Sequence, residues 1–184
     1  VSARILVLEG PDGCGKSHHA DCLAAALRAE DVDARAFRHT KPADADPILA
    51  ALDYARQRRV LVLAPPAAVI VADRWWHSSS VLGTALRHEL KERSWLFIRD
   101  IAEDEAHWGP HVDAALLTAP APVLDARLAA RGTPATALDR ALRWGYPRHV
   151  GRADRSGWDL TLDTSRPADV VAAELLAWAR GVLR

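Results

Sequence analysis

The sequence predicts an α/β fold in three layers, with a mainly parallel central sheet of about five strands enclosed by helices. Two observations carry this expectation. Short apolar runs recur along the chain, each closed by turn residues, as strands buried on both faces require. Helical stretches with one apolar face separate them, at the spacing of strand–helix–strand units. Apolar residues make up 49% of the 184 positions and charged residues 26%, enough for one well-covered core. One domain spanning residues 1–184 is expected.

The elements follow in order. Ile5-Leu6-Val7-Leu8 is a continuous apolar run that ends at a glycine-rich turn, as a buried parallel strand does. From Lys16 to about Glu30 the period becomes helical, with Ala20, Leu23, Ala24 and Leu27 on one face. A strand is expected over Ala34–Arg38, then a polar loop from Thr40 to Asp46. Asp46 is a candidate cap and Pro47 suits a first helical position, so a helix is expected from there to about Arg59. Val60–Ala64 reads equally as a strand or a buried helix end, closed by Pro65-Pro66. Val69–Ala72 is a strand that delivers Asp73 and Arg74 at its carboxyl end.

Two helices are expected between about Ser79 and His107, with Trp95, Ile98, Ile101 and Ala102 as their apolar stripe. Ala114–Thr118 is a strand, Pro122–Arg131 a helix and Gly132–Trp144 a basic connector. Leu160–Leu162 and Ala168–Leu183 supply the last strand and helix. There is no internal repeat, low-complexity tract or linker. Parallel sheets bind ligands beyond the carboxyl ends of their strands. The turn at residues 10–17 and the Asp73-Arg74 pair both fall on that edge, so one site is expected.

Charge and cysteine content narrow the function classes. Lys plus Arg numbers 24 and Asp plus Glu 24, a net charge of zero, which argues against a broad nucleic-acid footprint while leaving room for a local basic groove. DNA as a partner is therefore not indicated by charge. Cys14 and Cys22 are too few and too close for a disulfide framework, which suits a reducing cytoplasmic setting. No signal-peptide pattern or membrane-length apolar run is visible, so no membrane partner is expected.

Gly10-Pro11-Asp12-Gly13-Cys14-Gly15-Lys16-Ser17 matches G-x-x-x-x-G-K-[ST] completely, between a strand and a helix. Glycines let such a loop wrap tightly, so that successive backbone N–H groups face phosphate oxygens. The following helix aims its positive end at the same anion. The pattern predicts ATP or GTP binding, with Lys16 at the β- and γ-phosphates and the Ser17 hydroxyl on Mg²⁺. The expected architecture is thus a P-loop NTPase sandwich. Arg127, Arg131, Arg140 and Arg143 cluster where a short arginine-bearing lid, about residues 132–146, should close. The loop's own variable positions hold no Arg or Lys, so the lid is expected to neutralise transition-state charge, with Arg140 as catalytic candidate.

Trp75 and Trp76 are placed to wall a base pocket, because flat aromatic faces stack on nucleobases. His77 is a candidate polar contact beside them. Trp95, Trp108 and Trp178 are expected in packing roles, and His18 and His19 are expected to be exposed. No His, Cys and Asp spacing suggests a zinc site.

Several segments resemble thymidylate kinases. Leu8-Glu9-Gly10 through Lys16-Ser17 is similar to that family's F/L-E-G-x-D-G-x-G-K-S/T opening, and Asp73-Arg74-Trp75 with Ser78-Ser79 resembles its D-R-Y-x-x-S-S segment. Pro110 with Asp113, then Arg127-Leu128-Ala129-Ala130-Arg131-Gly132, resembles P-D…L-x-R-L-x-x-R-G, and Leu162–Pro167 resembles I-D-A-S-x-x-P. These anchors span nearly the whole chain in order. The resemblance implies an ATP- and Mg²⁺-dependent kinase that phosphorylates a nucleotide acceptor, and it allows a homodimer. It implies that Asp12 lies near the acceptor sugar, Arg74 holds the acceptor phosphate, and Asp73 organises Mg²⁺ or the acceptor. Arg127 would lie near the donor adenine, with Arg38 or Lys41 as a further phosphate contact.

The base-reading segments depart from that family. Its F-A-A-D-R helix segment is matched by Ala50-Ala51-Leu52-Asp53-Tyr54, and its A-Y-Q by Val81-Leu82-Gly83. Its R-E-P-G-G-T loop is reduced to Arg38–Pro42, and the lid differs around Thr133–Ala137. Donor chemistry is retained and the acceptor pocket rebuilt. A different or larger base, stacked on Trp75, Trp76 or Tyr54, is therefore expected. The alternatives are a kinase for a hydroxyl on a modified base in DNA or on another metabolite, and an ATPase or nucleotide switch with no small acceptor.

Overall fold

The computed structural model describes residues 4–40, 47–62, 68–87, 94–108, 112–148 and 158–184. Lys41, Asp46, Pro65-Pro66, Pro110 and the side chain of Trp108 lie outside the described residues.

Five strands, β1 (Arg4–Glu9), β2 (Ala34–Arg38), β3 (Val69–Asp73), β4 (Val112–Thr118) and β5 (Leu160–Asp163), form one all-parallel sheet in the order β2-β3-β1-β4-β5. The register sets Leu8 and Arg38 both opposite Asp73, so β1, β2 and β3 end together. Seven helices are described: α1 (Lys16–Arg28), α2 (Pro47–Val62), α3 (Trp76–Ala85), α4 (Ser94–Trp108), α5 (Ala121–Ala130), α6 (Ala137–Arg148) and α7 (Ala168–Leu183). None of them is long and apolar enough to cross a membrane.

Alternate residues of each strand serve opposite faces. Leu6, Leu8, Val69 and Val71 pack with Leu23 and Leu27 of α1 and with Val171 and Leu175 of α7. Ile5, Val7, Ile70 and Ala72 pack on the other side with Trp75 and Trp76. Burial on both faces is why these strands read as continuous apolar runs, and it is what a three-layer sandwich requires. The Trp95, Ile98, Ala102 stripe of α4 does pack inward, with Ile98 and Ala102 buried.

One open alternative is settled and one expectation changes. Val60 and Leu61 belong to the end of α2 rather than to a strand. The basic connector expected over 132–144 is largely helix: α6 starts at Ala137. Thr136 and Asp139 cap it reciprocally. The Asp139 N–H donates to Thr136 Oγ1 at 3.1 Å, and the Thr136 N–H donates to Asp139 Oδ2 at 2.7 Å. Leu142 and Tyr146, one turn apart, then face Val81 and Leu116.

Candidate functional site

The turn at residues 10–17 leaves β1 and enters α1 through three glycines with positive φ. At Gly10 the constraint is steric as well, because a Cβ there would stand 2.0 Å from the Leu117 carbonyl oxygen. Gly15 precedes α1 at φ 85° and carries no capping side chain, and the first turn of α1 holds no acidic residue. The positive end of α1 is therefore left to an external anion. A cleft of about 240 Å³ opens here, and Gly15, Lys16 and Ser17 line one side of it. Asp73, Arg74 and Arg131 line it too.

Lys16 is folded over the turn. Its Nζ donates to the Pro11 carbonyl at 2.9 Å and lies 3.7 Å from Asp12 Oδ1. The Ser17 hydroxyl donates to Asp73 Oδ2 at 2.5 Å, while the other oxygen, Asp73 Oδ1, is buried and accepts no hydrogen bond. A buried oxygen without a donor is costly unless a cation or its water shell meets it. Among the described residues no group of three or more His, Cys, Asp or Glu side chains is placed to hold a metal. A serine hydroxyl beside one carboxylate suits Mg²⁺, which takes most of its oxygens from water and substrate phosphates.

Arg74 takes up φ 76°, the left-handed region that a bulky residue enters only under constraint. Its backbone N–H is held by the Leu8 carbonyl at 3.0 Å. Its guanidinium spans the site: Nη1 donates to the Tyr146 hydroxyl at 2.5 Å and to Ser78 Oγ at 3.1 Å, and Nη2 pairs with Asp12. Burial pushes the Asp12 carboxyl upward, but Arg74 and Lys16 outweigh it and hold Asp12 below the ordinary carboxylate range. Beneath them Glu9 is fully buried. It accepts the Trp75 N–H at 2.7 Å, the Ser78 N–H at 3.2 Å and the Ser78 hydroxyl at 2.5 Å, fixing the turn that begins α3. Burial raises Glu9, opposed first by the Arg74 charge.

The other expected residues divide. Arg127 donates to the Gly13 carbonyl at 3.2 Å and to the Thr164 carbonyl at 2.6 Å, tying the glycine turn to the loop after β5. Arg38 stands at the end of β2 but is paired with Asp21 and donates to the Ser17 carbonyl at 3.2 Å. Arg140 donates to the Ala135 carbonyl and does not line the cleft, and Arg143 is paired with Asp125 at 2.8 Å. Of the four lid arginines, only Arg131 lines it. Tyr54 is half-buried, its hydroxyl within electrostatic reach of Arg74 and Asp12. Trp75 is 2% exposed in the core, and Trp76 is buried and stacked on His77 at 3.8 Å. Neither presents an open face. His18 is exposed as expected, but His19 is buried under Gly15 as α1 packs down on the sheet.

Sequence reasoning gave no role to Glu9, Ser78 or Tyr146, nor to His39 and Arg58. His39 follows β2 and is half-buried, edge-on to Phe37 and Tyr54. Its Nδ1 lies 3.3 Å from the Asp73 carbonyl, and its Nε2 lies 3.4 Å from Arg58 Nη1. Arg58 only donates, so Nε2 accepts and the imidazole is neutral. Burial first, then the Arg58 charge, brings His39 down to about 4 from 6.5. In the unfolded chain His39 takes its proton near the ordinary value, so its contribution to stability is complete above that value. It is lost as pH falls through the window between the two. With allowance for partial exposure, the stability advantage over His39→Gln should shrink by about 2 kcal/mol between roughly pH 7 and pH 4. Urea unfolding across that range measures it, and a constant difference would refute the neutral, buried imidazole.

A scan against protein-family models finds no match to this chain, and a search of curated proteins finds no significant relative.

Proposed function

We propose that the protein is a P-loop phosphotransferase that moves the γ-phosphoryl group of ATP to a nucleotide-like acceptor. The observation that carries the reading is the presence of two cationic stations in one cleft. Lys16 at the uncapped end of α1 and Arg74 on the strained exit of β3 both line it, and Asp12 pairs with each of them. Hydrolysis needs one phosphate station, whereas transfer between two phosphorylated molecules needs two.

On this reading Lys16 leaves the Pro11 carbonyl for the donor phosphates. Ser17 and Asp73 would hold Mg²⁺, which supplies charge neutralisation on the phosphate oxygens. The acceptor phosphate displaces Asp12 from Arg74 Nη2, a charge-assisted contact exchanged for one of the same kind. Asp12 is then free to accept a hydrogen bond from an acceptor hydroxyl. Arg131 is the lid residue best placed for the transferring group, ahead of Arg140.

The thymidylate-kinase resemblance supports the same assignment. Its F-A-A-D-R spacing, an aromatic four residues before an arginine, is met by Tyr54 and Arg58, which both approach His39. A second match therefore lies one turn beyond Ala50–Tyr54. Val81-Leu82-Gly83, matched to A-Y-Q, serves packing instead: Val81 is 1% exposed, and a Cβ on Gly83 would meet Ile98 at 3.6 Å. An unmatched polar group on a buried base forfeits about 1–3 kcal/mol. With glycine at 83 in place of the glutamine of A-Y-Q, thymidylate is expected to be a poor acceptor. A panel of ribonucleoside and deoxynucleoside monophosphates, with hydroxymethylpyrimidine DNA as a further arm, should show another acceptor ahead in kcat/KM. Thymidylate leading by about a hundredfold would contradict this.

A further inference from the structure

We propose that Tyr146 is a positioning residue that aims Arg74, coupling helix α6 to the acceptor side of the cleft. The inference rests on the phosphotransferase reading for its kinetic consequence, but not for its geometry.

With Glu9 ionised, the donors and acceptors around Tyr146 take one direction. Arg74 has no acceptor, so its Nη1–H donates to the Tyr146 oxygen at 2.5 Å. The Ser78 hydroxyl proton is directed to Glu9 Oε2 at 2.5 Å, which leaves Ser78 Oγ as acceptor from the Tyr146 hydroxyl at 2.8 Å. The chain therefore runs from guanidinium to tyrosine to serine to a fully buried carboxylate, with a second, longer link from Nη1 straight to Ser78 Oγ at 3.1 Å. It engages Nη1 and leaves Nη2 turned toward Asp12 at the cleft. A guanidinium gripped on one edge presents the other in a fixed orientation, which cuts the freedom lost when a phosphate binds.

The position of Tyr146 is itself held independently. It is 1% exposed, packs with Val81 and Leu116, and its carbonyl accepts the Trp158 indole N–H at 3.1 Å. The preceding Gly145 lets α6 approach α3 closely, since a Cβ there would lie 2.7 Å from Val81 Cγ1. Arg74 and Tyr146 are thus joined across 72 residues of chain by a hydrogen bond.

Tyr146→Phe keeps the ring and removes only the hydroxyl. Acceptor KM should rise ~10-fold with ATP KM nearly unchanged, beside the modest fall in thermal midpoint that the loss of a buried hydrogen bond brings. If both KM values rise together, Tyr146 is merely structural and the proposal falls. A second readout needs no activity. In protein labelled with ¹⁵N-arginine, and with the Arg74 signal identified by its loss in Arg74→Lys, wild type should show separate, slowly exchanging Nη resonances. These should merge in Tyr146→Phe. Unchanged resonances would overturn the proposal. If no acceptor is phosphorylated by any variant, the phosphotransferase reading fails while the resonances still decide the role of Tyr146.

Discussion

Lys16→Ala should leave a folded protein that has lost phosphoryl transfer almost entirely. Among the described residues the hydrogen bonds and ion pair of Lys16 fall within its own turn, at the Pro11 carbonyl, Asp12 and Cys14, so its removal should cost little stability. Its proposed work is electrostatic, performed where negative charge develops on the transferring oxygens. A fixed charge or donor at such a place is worth about 3–4 kcal/mol, or two to three orders of magnitude in rate. Urea unfolding should give nearly the wild-type midpoint, and steady-state transfer should fall by that factor. Turnover within about twofold of wild type would remove the glycine turn from the chemistry.

Arg74→Ala should separate the two sides of the cleft. Acceptor kcat/KM is expected to fall about a hundredfold, through a raised KM and a lowered kcat, while ATP affinity measured by calorimetry stays close to wild type. The substitution also has a structural cost. It strips the buried Glu9 of the charge that most opposes its burial, and Glu9, already raised by burial, rises further. Arg74→Lys separates the two effects, because it keeps a charge near Glu9 but loses the fork that contacts Tyr146, Ser78 and Asp12 together. The lysine variant should recover stability more fully than it recovers acceptor binding. Collapse of ATP affinity in Arg74→Ala would place Arg74 on the donor side and invert the map.

What could be read in advance depended on the range of the interactions. The turn at 10–17 is a local object: its glycine spacing, Lys16 and Ser17 lie within eight consecutive positions between two legible elements. β1, β3 and β4 were readable because both of their faces are buried. Helix α6 was missed although Thr136 and Asp139 already spelled a cap and Leu142 and Tyr146 are spaced one turn apart. Arg140, Arg143 and Arg148 break up its apolar signal. The roles of Tyr146 and of Glu9, though Glu9 stands in the quoted opening motif, were hidden for another reason. Their partners lie 66 to 72 positions away, and no local pattern announces a pairing that exists only once β1, β3 and α6 are assembled. Trp75 shows the converse error: an aromatic beside the site looked like a wall of the pocket, but the sheet needed it for the core.

The most direct test of the central claim is the fate of the γ-phosphate. ATP labelled at that position is incubated with Mg²⁺, the protein and a mixture of nucleoside monophosphates, and the products are separated. Label should appear on a nucleotide acceptor in proportion to wild-type protein, and it should be absent with Lys16→Ala. Label released only as inorganic phosphate, at a rate indifferent to any acceptor, would contradict the account and leave a nucleotide hydrolase in its place.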